Sequence, residues 1–276
     1  MRPAEVLRSA SDYLDRHGVE SPRASAEALM MTILGTDRAG VYARTRGLDM
    51  REARTFGRAL CQRCTGTPLQ HLTGEQTFRR ISLEVRPGVF VPRPETEVLV
   101  GLALAELEGV AGPFVVDVGT GTGAVALSVK HERPDASVFA TDLSADAVEL
   151  ARSNGSRLGL DVTFLEGDLL DPLPGELLGR VDVVMSNPPY IDPDVYDDLP
   201  AEVRADPELA LIGGVELVDR LATDAARWLR PAGLLAIEIG DAQGAEVIRR
   251  LQGRFRDLRV EPDLTGRDRV ILGLRA

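Results

Sequence analysis

The chain is poor in the residues that carry metal and redox chemistry. Its 276 residues include only two cysteines, Cys61 and Cys64, and three histidines, His17, His71 and His131. The cysteines form a lone Cys-x-x-Cys inside a helical pattern, with no second pair to complete a tetrahedral site, and the histidines show no ligand spacing. No metal is expected. No run approaches the roughly 20 apolar residues of a membrane-spanning helix, and the first residues lack the basic and then apolar order of a signal peptide. A cytoplasmic protein with no membrane partner is the expectation. Trp228 is the single tryptophan, and it falls in a helical pattern with Leu221, Ala225 and Leu229, which makes it a core residue rather than a binding platform.

Positive charge is also scarce. A formal net charge of -11 argues against a chain that grips long nucleic acid unaided, because such binding works by neutralising many phosphates. No stable nucleic-acid binding is expected. The imbalance is uneven, however: residues 1–85 hold 13 arginines against 10 acids, so the whole deficit lies beyond them. Such asymmetry suggests two modules. With no obvious apolar interaction stripe, the expected state is a monomer.

Hydrophobic residues make up 44% of the chain, enough for a sizeable core. Val6, Leu7, Ala10, Tyr13 and Leu14 share one helical face, and Ala26, Leu29, Met30 and Ile33 repeat the pattern. Ser21 before Pro22 marks a helix start, and Asp49 with Glu52 resembles a capping box opening a helix through Cys64. After Pro68 the pattern changes to a short hairpin, with Gln76 to Phe78 and Ile81 to Val85 flanking Arg79-Arg80. Pro87-Gly88 breaks the chain, and Val91-Pro92-Arg93-Pro94 stiffens its entry into a helix near Glu95. Beyond this linker, apolar strands at Phe114 to Val118, Ser137 to Thr141, Val162 to Leu165, Val181 to Ser186 and Leu234 to Ile239 alternate with helical stretches. That order implies a mostly parallel sheet covered on both faces, with ligands bound at the C-terminal ends of its strands.

Those strand ends hold the candidate chemistry. The first empties into Gly119-Thr120-Gly121-Thr122-Gly123 ahead of a helix starting near Ala124, where glycines let a ligand approach the backbone and the helix start offers free amides. The same residues satisfy the dinucleotide pattern Gly-x-Gly-x-x-Ala, so a nicotinamide enzyme is one reading of them. Asp142, ending the second strand, suits ribose hydroxyls in either case. Discrimination comes from Glu166-Gly167-Asp168 after the third strand, where an acid can accept from an adenine amine, and from Asn187-Pro188-Pro189-Tyr190 after the fourth. Two prolines fix that backbone and remove two donors, which leaves carbonyls and the Asn187 side-chain oxygen as acceptors for an NH2 group; Tyr190 adds an aromatic face. An amide or arylamine nitrogen is a poor nucleophile. Acceptors that hold its N–H bonds would aim it at the electrophilic methyl of a sulfonium, without metal or covalent intermediate. Glu238, ending the fifth strand, either orients groups beneath the site or is a solvated strand-end carboxylate.

With these motifs the sequence resembles the PrmC/HemK family of protein-glutamine methyltransferases. The resemblance covers nearly the whole chain and includes Pro68-Leu69-Gln70-His71-Leu72-Thr73-Gly74 and Phe90-Val91-Pro92-Arg93-Pro94-Glu95-Thr96-Glu97, which are narrower than the glycine loop shared with nucleic-acid amine methyltransferases. It implies a Rossmann-like class I methyltransferase domain with a mostly parallel seven-stranded sheet, preceded by a small helical N-terminal domain and a β-hairpin linker. The expected divisions are 1–72, binding the release factor, 73–92 for the linker, and 93–276 for the S-adenosyl-L-methionine-dependent domain. The implied activity is methylation of the glutamine amide in the Gly-Gly-Gln motif of class-1 peptide chain release factors. A nucleic-acid base or a ribosomal-protein glutamine is the alternative acceptor, and a cofactor-binding module without turnover is the alternative class. By resemblance, Gly119 to Gly123 line the methionine part of the cofactor, Asp142 holds its ribose, Asp168 and Leu169 flank the adenine, and Asn187 touches cofactor and substrate. Pro188, Pro189 and Tyr190 complete the glutamine pocket, with Asn187, Pro188 and Tyr190 as the catalytic set. Two departures stand out. Leu169 occupies a place where some members carry an aromatic residue, and Gly213-Gly214-Val215-Glu216-Leu217 replaces the family's frequent Gly-Gly-x-Asp-Gly.

Overall fold

Periodicity and capping set the first helices. The computed structural model describes residues 1–276 and opens with α1 (Pro3–Arg16), α2 (Pro22–Leu34), α3 (Arg38–Ala43), α4 (Met50–Cys64) and α5 (Leu69–Thr73). At the start of α4 the Glu52 N–H donates to Asp49 Oδ1 and the Asp49 N–H to Glu52 Oε2, each at 2.8 Å. Arg44 grips both Glu52 oxygens at 2.7 and 2.9 Å, so one cap closes two of the four unpaired donors of α4 and ties it to the end of α3. Leu7, Ala10 and Leu14 of α1 pack with Ala26, Leu29 and Met30 of α2, Val41 of α3 and Phe56 of α4. This compact unit comprises Met1–Glu75 and also takes in Leu199–Ala205, where Arg63 pairs with Glu202 at 2.8 Å.

The other unit, Gln76–Asp198 with Asp206–Ala276, holds all but the first residue of the hairpin of β1 (Glu75–Phe78) and β2 (Ile81–Glu84). At its turn Arg79 adopts the left-handed conformation, φ 50°, which is costly for a residue with a Cβ. Three contacts offset that cost: its N–H donates to Glu97 Oε1 at 3.0 Å, its Nη1 to the Glu97 carbonyl at 3.0 Å, and its guanidinium to both Glu132 oxygens.

After a 3-10 turn at Pro94–Thr96 come α6 (Glu97–Glu106), β3 (Phe114–Val118), α7 (Ala124–Glu132), β4 (Ser137–Asp142), α8 (Ala145–Leu158), β5 (Thr163–Glu166), β6 (Val181–Ser186), α9 (Glu208–Leu211), α10 (Val215–Trp228), β7 (Leu229–Glu238), α11 (Gly244–Leu251), β8 (Phe255–Pro262) and β9 (Asp268–Arg275). The strands form one sheet in the order β5-β4-β3-β6-β7-β9-β8. The first five are parallel; β9 runs antiparallel to β7 and to β8. One face packs against α6, α7 and α8 through residues such as Leu99, Leu127 and Val148, and the other against α10 and α11 through Leu221, Ala225 and Val247. Cover on both faces explains why β3 and β6 read as mostly apolar runs, each interrupted by one buried aspartate, rather than alternating ones. Trp228 packs against the second of these cores. Strand order reverses at β3 and β6, and a crevice opens there beyond their C-terminal ends. No helix is long and apolar enough to cross a membrane.

Candidate active site

The crevice is a cavity of about 380 Å³, within the range of small-ligand pockets. Gly119, Thr120, Gly121, Thr122, Asp142, Asp168, Leu169, Asn187, Pro188, Pro189 and Tyr190 all line it. Gly123 lies behind the loop instead, at φ 86°, where a Cβ would fall 2.9 Å from Leu127 Cδ1 and 3.3 Å from Ala151 Cβ. Its missing side chain lets α7 approach α8.

The loop after β3 is held from the neighbouring strand. Gly119 and Thr120 donate to the Thr141 carbonyl at 2.9 and 3.0 Å, and Gly121 donates to Asp142 Oδ2 at 2.8 Å. Asp142 Oδ1 accepts from the Ser144 N–H at 2.9 Å. Burial pushes the Asp142 carboxyl above its ordinary value, against the pull of these amides. Each of its oxygens keeps a lone pair for a further donor. Beneath the loop, Asp117 accepts from Thr120 Oγ1 at 2.6 Å and from the Ala126 N–H at 3.2 Å. Burial dominates there and raises the Asp117 carboxyl to about 7.

At the end of β5, Asp168 Oδ2 accepts from Arg220 Nη2 at 2.7 Å. Leu169 follows in the left-handed region at φ 46°, a conformation that side chains resist, and it packs against the second core cluster. At the end of β6, Ser186 Oγ donates to the Val118 carbonyl at 2.8 Å, which couples the two strands at the switch point. Asn187 Nδ2 donates to Thr96 Oγ1 at 3.1 Å. Tyr190 Oη donates to Glu238 Oε1 at 3.4 Å, and the Tyr190 carbonyl accepts from Gln243 Nε2 at 3.2 Å. Burial, then the Glu238 charge, pushes the Tyr190 phenol up to about 12. The segment beyond is clamped by backbone bonds: Ile191 N–H to the Leu211 carbonyl at 2.9 Å and Gly213 N–H to the Ile191 carbonyl at 3.0 Å.

Asp206, just ahead of α9, ties that part of the chain to the segment before Pro94. It is buried, pairs with Arg93, and accepts from the Val91 N–H at 3.1 Å; the Arg93 guanidinium lies 5.1 Å over the Phe90 ring. Four participants escape a reading by motif: Thr96, Asp117, Asp206 and Arg220. Thr96 sits inside the distinctive Arg93 to Glu97 run, and Asp117 is an acid in the middle of an apolar strand, itself a signal of a partnered buried charge. Asp206 and Arg220 carry no local signal. Glu238 is buried, at 1% exposure, so the solvated reading of that carboxylate falls.

Comparison with known proteins identifies relatives along nearly the whole chain. Residues 5–74 match a family model described as the PrmC N-terminal domain, and residues 82–201 one described as the methyltransferase small domain. The release factor glutamine methyltransferase of Moorella thermoacetica is 42% identical over 98% of each chain. That of Deinococcus radiodurans is 41% identical over 100% of this chain and 99% of its own, and that of Streptomyces coelicolor 39% identical over 99% and 98%. Among solved structures, the hMettl16 catalytic domain superposes with a TM-score of 0.57 at 16% identity, covering 83% of this chain and 81% of its own. The 16S rRNA N2 G1207 methyltransferase of T. thermophilus gives 0.54 at 20% identity over 73% and 50%. These two share the fold of the sheet domain. The full-length relatives go further, and by them the chain belongs to the release factor glutamine methyltransferase family.

Proposed function

We propose that this chain transfers a methyl group from S-adenosyl-L-methionine to the side-chain amide nitrogen of the glutamine in the Gly-Gly-Gln motif of class-1 peptide chain release factors. The observation that carries the acceptor half is the orientation of Asn187. Its Nδ2 donates to Thr96 Oγ1, and in that orientation Oδ1 is the end available to accept an N–H in the cleft. The Pro188 and Pro189 nitrogens have no proton to offer a competing donor.

The residues of the cleft suit the methyl donor. Gly119 and Gly121 are in the left-handed region with open space where a Cβ would project, which leaves room for a ligand against the backbone. Thr122 and Thr141 line the cleft with buried hydroxyls that have no partner. Asp142 would hold the ribose, Asp168 and Leu169 the adenine, and the glycine loop the methionine end. When bound, S-adenosyl-L-methionine supplies an electrophilic methyl on a sulfonium.

The protein's part is then to aim a weak nucleophile. Asn187 Oδ1 and a carbonyl of the proline pair accept the two amide N–H bonds and fix the plane of the group, while the Tyr190 ring flanks it. With both N–H bonds anchored, the nitrogen is presented at right angles to that plane, along the line of attack. No base is needed in the chain, because methyl transfer first gives a cationic, nitrogen-methylated amide, which is a strong acid and loses its proton to water to leave the neutral N-methyl amide. Orientation of this kind supplies several kcal/mol of the barrier. We assign docking of the release factor to the helical N-terminal residues 1–72, with 73–92 as linker and 93–276 as the catalytic domain; the excess of arginine over acid through residue 85 supports a role apart from that of the acidic remainder.

The test is transfer of a labelled methyl group to purified release factor, with and without the Gly-Gly-Gln glutamine replaced by alanine. Label that vanishes with the glutamine, and an Asn187→Ala enzyme about 10²–10³-fold slower, is the expected result, as for loss of one preorganised polar group at a reacting centre. Unlabelled release factor beside labelled ribosomes or nucleic acid overturns the acceptor.

A further inference from the structure

The amide of Asn187 and the ring of Tyr190 are aimed by whatever fixes the backbone that carries them. Two stretches of chain, remote from that segment and from each other in sequence, line the same cavity. Residues 88–96 supply Phe90, Pro92 and Thr96, and residues 207–212 supply Pro207, Leu209 and Ile212. The first stretch is joined to Asn187 by the Thr96 contact at 3.1 Å. The second is joined to the residue after Tyr190, through the Ile191 N–H to the Leu211 carbonyl at 2.9 Å and the Gly213 N–H to the Ile191 carbonyl at 3.0 Å.

Asp206 joins the two stretches to each other. Its side chain has no exposed surface. Oδ1 accepts from the Val91 N–H at 3.1 Å, and Oδ2 accepts from the Arg93 guanidinium, which lies 5.1 Å over the Phe90 ring. The contacts close into a ring. Asn187 meets Thr96, the Thr96 N–H donates to the Arg93 carbonyl at 3.2 Å, Arg93 meets Asp206, and the chain runs along α9 to Leu211 and through Ile191 back to Tyr190 and Asn187. Its corners are stiff, because Pro92 and Pro94 stand on either side of Arg93, Pro207 follows Asp206, and Pro188 and Pro189 follow Asn187. A shift where Asp206 meets Arg93 is therefore carried round to Asn187 rather than absorbed nearby.

We infer that Asp206 is a positioning residue for methyl transfer: by closing this ring it sets the separation between Thr96, which holds Asn187, and the α9 wall of the cleft. The inference rests on the proposed role of Asn187 as amide acceptor. Asp206 does not line the cavity, so its effect runs through the residues it joins.

A carboxylate suits this joint for a specific reason. Two donors approach different oxygens of the same group, one of them a cation, and a buried charge is sustained where an opposite charge and hydrogen bonds both meet it. Asparagine at 206 would keep the shape but offer one accepting oxygen to two donors, and its NH2 would face either the Val91 N–H or the guanidinium. Methionine at 93 would keep an unbranched stem and remove the cation. Each change opens the same joint from a different side.

Asp206→Asn, Arg93→Met and the double variant test the joint. Turnover with full-length release factor is measured as kcat and KM, beside calorimetric titration of S-adenosyl-L-methionine, whose stoichiometry counts folded sites and so divides out any loss of folded protein. Asp206→Asn and Arg93→Met are each expected to lose about 10–100-fold in kcat per site, the cost of misplaced reacting groups, with cofactor affinity unchanged. The double variant is expected to lose no more than the worse single one, because the effects of two residues in one contact do not add. Wild-type kcat per site in Asp206→Asn, a loss confined to KM, or losses that multiply in the double variant overturn the inference. Cofactor affinity that falls in step with kcat overturns it as well, being the mark of general loosening. Any of these beside an inactive Asn187→Ala enzyme spares the acceptor reading, whereas an active Asn187→Ala enzyme overturns that reading and the inference with it.

Discussion

Alanine at Gly213 should cripple transfer to glutamine while leaving the cofactor half of the cleft intact. An ideal Cβ there would lie 2.1 Å from the Pro189 carbonyl oxygen, 2.8 Å from its carbon and 3.1 Å from Pro189 Cβ. Non-bonded heavy atoms settle at about 3.5–4.0 Å, so the two strands of chain must part by about 1 Å or more. Neither has slack. Gly213 and Ile191 are joined at 3.0 Å, Ile191 and Leu211 at 2.9 Å, and the adjoining proline pair is stiff. The motion is therefore passed to Pro188, Pro189 and Asn187, and a displacement of about 1 Å at reacting groups costs about 10²-fold in rate. Overpacking adds about 1–3 kcal/mol of lost stability. Gly213 is not in the left-handed region, so alanine meets no backbone objection and the whole effect comes from this contact. Gly214→Ala is the control, because its Cβ would meet only Glu216 Oε2, at 3.0 Å, the end of an exposed side chain held only by a surface ion pair to Arg250. Steady-state kinetics with release factor, together with calorimetric titration of S-adenosyl-L-methionine, separate the two halves of the site. A Gly213→Ala enzyme with kcat within about twofold of wild type refutes the argument, since 10²-fold is the cost assigned to such a shift.

Two further outcomes concern the cofactor loop. Asp117 has its folded-state value raised from 3.8 to about 7, so the unfolded chain releases this proton first and stability falls as pH rises between the two values, by up to roughly 4 kcal/mol. Thermal melts of Asp117→Asn and wild type at pH 5 and pH 8 should show the variant losing much less than the wild type over that interval; parallel losses would contradict the assignment. Asp142→Ala removes the acceptor of the Gly121 and Ser144 amides and the expected ribose contact, and it should weaken cofactor binding at least 10-fold, about the worth of one hydrogen bond to a charged group. Calorimetry that finds the affinity unchanged rules out that role for Asp142.

Local signals carried far in this chain where one segment held the whole instruction. The capping box of Asp49 and Glu52 formed as expected because both partners lie within one helical turn. The runs Phe114 to Val118 and Val181 to Ser186 are strands with the bounds their apolar character suggested, since burial on both faces leaves no competing pattern. β8 and β9 were not individually legible. They form the sheet's antiparallel end, and β8 alternates weakly, with one residue buried and the rest half-buried or exposed.

Sequence by itself determined the chemistry on offer: a glycine loop at one strand end, acids at the next two, an acceptor-rich proline turn at the fourth, and a full-length family resemblance. These are properties of contiguous residues, dictated by backbone freedom at glycine, its loss at proline, and side-chain hydrogen-bonding type. Only the tertiary structure decided which groups hold them in place. Thr96 meets Asn187 across 91 residues, Arg93 meets Asp206 across 113, and Tyr190 meets Glu238 across 48. Segment 199–205, between active-site residues on either side, packs with the helical unit rather than with its neighbours in sequence. Such pairings depend on strand order and on what burial leaves unpaired, and a linear pattern does not record either until the sheet has brought the strand ends together.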